Sequence, residues 1–169
     1  TRLGQLFDGV GRCLTSLPEL AHYGPHAEGE DFLGPSFVDD LGQTPVWPDA
    51  AEASAGGPAT VPPRVFVYLE PAHRAFAPLL LALRELGWPT LAHVKGLSAE
   101  QQAQLQAPSL RIAAQPQRMD EALRQASLVI SHGSPGMASA ALMAGLPQLL
   151  LPRHVEQLMV ARRLVDLGA

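Results

Sequence analysis

The sequence contains very little cysteine, lysine and charge. Cys13 is its only cysteine, which excludes a disulfide framework and a multi-cysteine zinc site within these residues. Lys95 is the only lysine among 12 basic residues, the charged fraction is 17%, and no block of Lys or Arg occurs. No apolar run approaches the roughly 18 residues of a membrane span. These absences argue against a partner bound through nucleic-acid phosphates and against a transmembrane segment.

Apolar residues are plentiful by comparison. They make up 47% of the 169 residues, and the formal net charge is −4. This composition excludes a chain that is disordered over most of its length and favours one globular domain, with or without a piece of another. The Arg-rich, Ala- and Leu-rich usage suggests a bacterial source. Because the chain begins with Thr1 and no signal peptide is apparent, we expect a cytoplasmic protein and a fragment of a longer one.

Glycine and proline divide the chain near residue 60. Breaker dipeptides such as Gly34-Pro35 and Pro62-Pro63 recur between residues 24 and 63, where no sustained periodicity is found. We interpret residues 36–62 as a linker that crosses the surface. Before the linker, residues 13–17 and 31–33 are short candidate strands.

After residue 63, strand and helix patterns alternate five times. Apolar runs predict strands at 64–69, 90–94, 110–113, 127–131 and 148–151. Helices are predicted at 76–86, 119–125, 138–144 and 155–167, and a further polar helix is predicted to begin at residues 98–100. This alternation predicts an α/β fold, a Rossmann-like parallel sheet with helices on both faces. Ligands of such sheets bind where the strands end at their carboxyl side.

The segment from Ser131 to Met137 is the most informative of these strand ends. Gly133 and Gly136 allow a tight turn and close approach of a ligand, and Pro135 suits the first turn of a helix. The free N–H groups of that helix favour an anion, most often phosphate. A tight turn without a ligand is the alternative. The dinucleotide fingerprint G-x-G-x-x-G and the Walker lysine are both absent.

Two further patterns leave alternatives open. Ser134 lies in a near match to the nucleophile elbow G-x-S-x-G, with His154, Glu156 and Asp166 downstream as partners for a hydrolase. Glu156-Gln157 offers acceptors and donors side by side, which suits a sugar ring, although taken alone the pair is better explained by a helix start with a solvated Gln157. His22 and His26 have metal-like spacing without a third ligand, so no metal site is expected, and Cys13 is expected in the core.

Pro116-Gln117, His132 and Glu156-Gln157 occur in the order and spacing of the donor signature of one enzyme family. The chain resembles GT-B fold glycosyltransferases, namely the bacterial relatives of the UDP-glycosyltransferases that modify antibiotics and other natural products. The resemblance implies that residues 1–35 are the tail of an N-terminal acceptor domain. It also implies that residues 63–169 are most of the C-terminal domain that binds the nucleotide-sugar donor. We expect residues 1–35 to pack poorly without their own domain.

The resemblance also implies roles for single residues. Gln117 would contact the nucleotide base and Glu156-Gln157 the sugar hydroxyls. The donor diphosphate would bind the loop composed of His132, Gly133, Ser134, Gly136 and Met137.

The implied activity is an inverting transfer of a sugar from a UDP- or TDP-sugar to a hydroxyl of a small-molecule or lipid acceptor, without cofactor or metal. The general base would lie upstream, so this fragment alone is expected to be inactive; a homodimer stays open.

The sequence departs from the family pattern at several positions. Ala114 replaces a Trp that often stacks on the base, Met137 replaces a polar residue that reaches phosphate, and Ala140 replaces a Glu that binds ribose. The loop after the first strand reads Leu69-Glu70-Pro71 instead of a Gly/Ser/Thr turn. A non-catalytic nucleotide-sugar-binding subunit with a decayed site is therefore an alternative, as is the α/β hydrolase.

Overall fold

The computed structural model describes residues 13–24, 31–37, 42–49 and 61–169. Strands and helices alternate through the last of these ranges. The strands in chain order are β1 Cys13–Leu14, β2 Asp31–Phe32, β3 Val65–Leu69, β4 Thr90–Val94, β5 Leu110–Ala113, β6 Leu128–Ser131 and β7 Gln148–Leu150. The α-helices are α1 Phe76–Leu86, α2 Ala99–Leu105, α3 Met119–Gln125, α4 Pro135–Met143 and α5 Val155–Leu167.

Strands β3 to β7 form one parallel sheet in the order β5-β4-β3-β6-β7. The predicted parallel α/β sheet is therefore confirmed. The strand order reverses at β3, because β4 and β5 extend the sheet in one direction and β6 and β7 in the other. Such a reversal opens a crevice at the carboxyl ends of the strands, where ligands of α/β proteins bind.

Helices cover both faces of this sheet, as the sequence predicts. On one face, Val65 and Val67 of β3 pack with Phe76 and Leu80 of α1. On the other face, Phe66 belongs to a cluster with residues of α3 and α4. Successive strand residues point to opposite faces, and all three β3 residues are fully buried. Each such side chain contributes about 1.5–3 kcal/mol by leaving water.

Local sequence sets the helix ends. Ser98 begins α2 with a capping box, since its Oγ accepts from the Gln101 N–H at 3.2 Å and its own N–H donates to Gln101 Oε1 at 2.9 Å. Gly87 ends α1 in the left-handed conformation. Helix α4 begins at Pro135, three residues before its predicted start, because proline at the first helical position leaves no N–H unsatisfied.

The described residues before the linker form a short parallel pair, β1 with β2, and a 3-10 helix at Pro18–Leu20. Both strands lie within their predicted ranges. Cys13 is exposed, so its predicted place in the core is wrong. It is the first residue of a two-residue strand, which is too short to bury both of its faces.

The expectation that residues 1–35 pack poorly is wrong for the 3-10 helix. Leu20 is only 2% exposed and packs with Val160 and Leu164 of α5 and with Ala138 of α4. The Arg163 side chain also donates through Nε to the Glu19 carbonyl at 3.0 Å. This stretch therefore packs against α4 and α5, the two helices that follow β6 and β7.

Residues 42–49, within the predicted linker, are attached to the loop between β5 and α3. The Gln43 N–H donates to the Pro116 carbonyl at 2.8 Å, and the Gln43 carbonyl accepts from the Arg118 N–H at 2.9 Å. Trp47 packs against the apolar cluster around Phe66. Gly42 has φ +115°, and a Cβ there would lie 2.7 Å from Pro116 O, so this approach requires glycine.

Candidate functional site

The turn from β6 into α4 is built to leave backbone N–H groups free. Ser131 is buried, and its Oγ accepts from the Gly133 N–H at 3.1 Å. Gly133 has φ +80°, a conformation that other residues rarely adopt. Ser134 precedes the helix in an extended conformation and makes no capping hydrogen bond with its side chain. The first-turn N–H groups of α4 therefore remain available to an anion.

Gly136 lies in that first turn without a conformational reason to be glycine. Its φ is outside the left-handed region, and a Cβ built on it would meet nothing within 4 Å. Alanine at a helical position is more stable than glycine by about 0.5–1 kcal/mol. Open space beside a helix N-terminus is where a ligand could approach the backbone closely.

Met137 contributes only its backbone to this turn. Its side chain is 6% exposed and belongs to the apolar cluster of Phe66 and Val129 on the sheet. The side chain of Ser134, also predicted to bind the diphosphate, is half-buried. It is not hydrogen-bonded to a histidine within the described residues. The structure thus gives no support to the hydrolase alternative, which needs an activated serine.

His132 begins the loop and contacts an aromatic row that the sequence analysis missed. The Tyr68 ring at the end of β3 lies 5.5 Å from the His132 ring and 5.7 Å from the ring of His93 on β4, measured between centroids. The row crosses the ends of three neighbouring strands. His93, a histidine inside the apolar strand β4, was the one signal of this row in the sequence. Its contact with Tyr68 could not be predicted, because it depends on the order of the strands in the sheet.

The surroundings of His132 disfavour the charged form of its imidazole. Burial lowers its pKa, the backbone of Tyr68 partly offsets this effect, and the nearby His154 and His73 lower it further. Its Nδ1 is buried and has no hydrogen-bond partner in the described part of the chain. An unpaired buried nitrogen costs free energy until a ligand or water satisfies it.

Gln117 lies beside a cleft at the ends of β3, β4 and β5. The cleft has a volume of about 440 Å³, and its lining includes Tyr68, His93, Lys95, Ala114, Pro116 and Gln117. Gln117 is 8% exposed, and its Nε2 donates to the Gln115 carbonyl at 2.8 Å. Its carboxamide therefore stabilises its own loop as well as bordering the cleft. Ala114 leaves the cleft without the aromatic side chain of the family pattern.

Gln157 and Glu156, adjacent in sequence, have different surroundings. Gln157 is 6% exposed, its Oε1 accepts from the Arg153 N–H at 2.8 Å, and its carbonyl would lie 3.6 Å from a Cβ on Gly133. It therefore adjoins the phosphate-type turn. Glu156 is exposed and accepts a hydrogen bond from Tyr23, which raises the pKa of that phenol.

The predicted site residues thus fall along one edge of the sheet. His132, Gly133 and Gln157 meet at the ends of β6 and β7. Gln117 borders the cleft, and Tyr68, which also lines the cleft, contacts His132. Among the described residues, no group of three or more His, Cys, Asp or Glu side chains could hold a metal ion. None of the helices described is long and apolar enough to cross a membrane.

Comparison with known proteins points to one class of enzyme. No protein-family model matches the chain. A stretch of 44 residues, 26% of this chain, is 46% identical to glycosyltransferase GtfC of Amycolatopsis orientalis and covers 11% of that protein.

The fold is similar to the crystal structure of the glycotransferase of kitacinnamycin, with a TM-score of 0.68, 18% identity and coverage of 99% of this chain and 43% of that one. It is also similar to the spinosyn rhamnosyltransferase SpnG complexed with thymidine diphosphate, with a TM-score of 0.56, 27% identity and coverage of 93% and 41%.

The chain spans less than half the length of each of these proteins. The resemblance predicted from the motifs is nevertheless confirmed, because the chain is similar to natural-product glycosyltransferases in sequence and in fold. The comparisons do not assign roles to its individual residues.

Proposed function

We propose that this chain is the donor-binding part of a glycosyltransferase. It would bind a UDP- or TDP-sugar for inverting transfer to a hydroxyl of a small-molecule or lipid acceptor. The observation that carries the proposal is the turn after β6, where free N–H groups of α4 adjoin half-buried His132 and buried Gln157. The likeness to SpnG, which was solved with thymidine diphosphate, supports the binding of a nucleotide diphosphate.

The diphosphate would bind at the N-terminus of α4. Backbone N–H groups of Gly136 and Met137 would donate to its oxygens, and His132 would donate a further, charge-assisted hydrogen bond. These donors would stabilise the negative charge that develops on the diphosphate as the bond to the anomeric carbon breaks. Burial lowers the pKa of His132 in the free chain, and the negative charge of a bound diphosphate would raise that pKa and favour the imidazolium.

The two ends of the donor would lie on either side of this turn. The nucleoside would occupy the cleft beside Gln117, where Tyr68 and His93 supply aromatic surface. The sugar would face Gln157 at the end of β7, and Glu156 would exchange its Tyr23 hydrogen bond for a sugar hydroxyl. Neighbouring parallel strands lie about 5 Å apart, so loops from two of them can contact one ligand.

Inverting transfer also requires a general base. The acceptor oxygen attacks the anomeric carbon, the bond from that carbon to the diphosphate oxygen breaks, and the hydroxyl proton passes to the base. We assign no residue of this chain to that role. The chain by itself would therefore bind donor without transferring sugar, and detectable turnover by these 169 residues would contradict the assignment.

Calorimetric titration of paired variants tests the roles. His132→Ala is expected to weaken UDP or TDP binding by about 1.5–3 kcal/mol, the range for a hydrogen bond to a charged group. Gln157→Ala adds no charge beside the turn, and we expect it to leave UDP or TDP binding almost unchanged and to weaken only the binding of the sugar-bearing donor. Gln104→Ala, at an exposed position on α2, is the control.

Two outcomes would contradict this arrangement. If Gln157→Ala weakened UDP or TDP binding as much as His132→Ala, the separation into sugar and diphosphate ends would be wrong. If the wild-type chain bound neither diphosphate, the donor site would not exist.

A non-catalytic binding subunit is the second candidate. It is favoured by the burial of the Met137 side chain and by Ala140, which offers no group to a ribose. Donor binding by the whole protein without turnover would support it over the enzyme.

A further inference from the structure

One ion pair joins two loops across the candidate site. Arg153 Nη1 contacts Glu70 Oε2, and the two side chains are 37% and 48% exposed. The other ion pairs in the described residues involve Arg118 or Arg124 with Asp120 or Glu121, close to the start of α3. The Glu70–Arg153 pair differs from these because it joins residues far apart in the sequence and lies at the carboxyl ends of the strands.

The strand order places this pair over the proposed diphosphate turn. Glu70 directly follows β3, and Arg153 lies in the loop after β7. Because β6 lies between β3 and β7, these loops start roughly 10 Å apart, two strand spacings. A contact between them has to cross the carboxyl end of β6, where His132 and Gly133 lie.

The two side chains have opposite chemistry toward a diphosphate. A guanidinium presents N–H donors in a planar fork that fits phosphate oxygens, whereas a carboxylate repels them. The Arg153 backbone is fixed by its hydrogen bond to Gln157 Oε1, so only its side chain has to move. An ion pair exposed to this degree contributes little to stability, so a diphosphate can displace it.

We propose that Arg153 is a further diphosphate-binding residue and that Glu70 holds it across the turn until the donor enters. This inference rests on the proposed function. On binding, the guanidinium leaves Glu70 and donates to the phosphate oxygens, and the carboxylate of Glu70 is left to solvent. Glu70 then lowers donor affinity in two ways, by competing for Arg153 and by repelling the anion.

A double-mutant cycle with TDP or UDP as the titrated probe tests the proposal in the 169-residue chain. Glu70→Gln is expected to bind the diphosphate about threefold more tightly, and Arg153→Gln about tenfold more weakly. In the Arg153→Gln background, Glu70→Gln is expected to change affinity by less than twofold. Glu85→Gln and Arg84→Gln remove the same charges from the last turn of α1, at the opposite edge of the sheet, and serve as controls.

Three results would overturn the proposal. Arg153→Gln binding as tightly as Arg84→Gln would remove Arg153 from the diphosphate site. If Glu70→Gln raised diphosphate affinity equally in the wild-type and Arg153→Gln backgrounds, Glu70 would act only by repelling the anion and would not hold the Arg153 guanidinium. Absence of diphosphate binding by the wild-type chain would remove the proposed function together with this inference, whereas wild-type binding with unchanged variants would defeat this inference alone.

Discussion

Replacing Gly136 by alanine should move stability and ligand affinity in opposite directions. Gly136 is the second residue of α4, it has no positive φ, and a Cβ there meets nothing within 4 Å. Alanine costs less backbone entropy in a helix, so the free energy of unfolding should rise by about 0.5–1 kcal/mol. Nothing in the unliganded structure opposes that gain.

The same methyl group should interfere with a bound diphosphate. The proposed anion lies against the N–H groups of this turn, and glycine permits such close approach of backbone and ligand. A methyl group at Gly136 would occupy part of that open space. We expect UDP or TDP to bind about tenfold more weakly, which corresponds to about 1.4 kcal/mol.

Urea denaturation and calorimetric titration measure these two effects separately. Ala82→Gly on the exposed side of α1 is the control, because it should lower stability by about 0.5–1 kcal/mol without changing affinity. A Gly136→Ala chain that is stabilised and binds the diphosphate normally would refute the placement of the anion at this turn. If Gly136→Ala lowered the free energy of unfolding, the conclusion that a Cβ fits at this position without strain would be wrong.

Two further predictions follow from local geometry and from charge. Gly42→Ala should lower the melting temperature more than Gly145→Ala, since both have positive φ but only the Gly42 Cβ collides with backbone, at 2.7 Å; equal losses would mean that the linker contact adds nothing. Because burial, with smaller effects of His154 and His73, lowers the His132 pKa, the unfolded chain binds more protons below about pH 6.5. The free energy of unfolding should therefore fall, and the affinity for the diphosphate should rise, on acidification through that window. In His132→Gln the affinity should rise less over the same pH range.

Most elements of the fold could be predicted from the sequence because local signals agree with tertiary packing. Leu128, Val129 and Ile130 of β6 are consecutive apolar residues because both faces of that strand are covered. Gly87 and Gly168 end their helices in the left-handed conformation. The start of α4 was missed by three residues because the run of small residues after Met137 dominated the pattern. The roles of the site residues remain predictions.

Contacts between distant loops could not be predicted in this way. The Tyr68 ring meets His132 only because β6 inserts beside β3, and the Glu70–Arg153 pair depends on the same insertion. No periodicity in the sequence encodes that order. The docking of Leu20 on α5 likewise depends on how two segments far apart in the chain meet.

The insertion of β6 beside β3 also has a consequence for folding kinetics. Pairing of β3 with β4 and of β4 with β5 closes short loops, whereas Val65 pairs with Leu128 across more than sixty residues. Long-range pairing of this kind is slow, because chain entropy is lost before contacts compensate for it. Tyr68 and His132 lie on opposite sides of this late contact. Nucleotide binding should therefore appear only in the last kinetic phase of refolding. The circular-dichroism signal of the helices between β3 and β5 should appear before it.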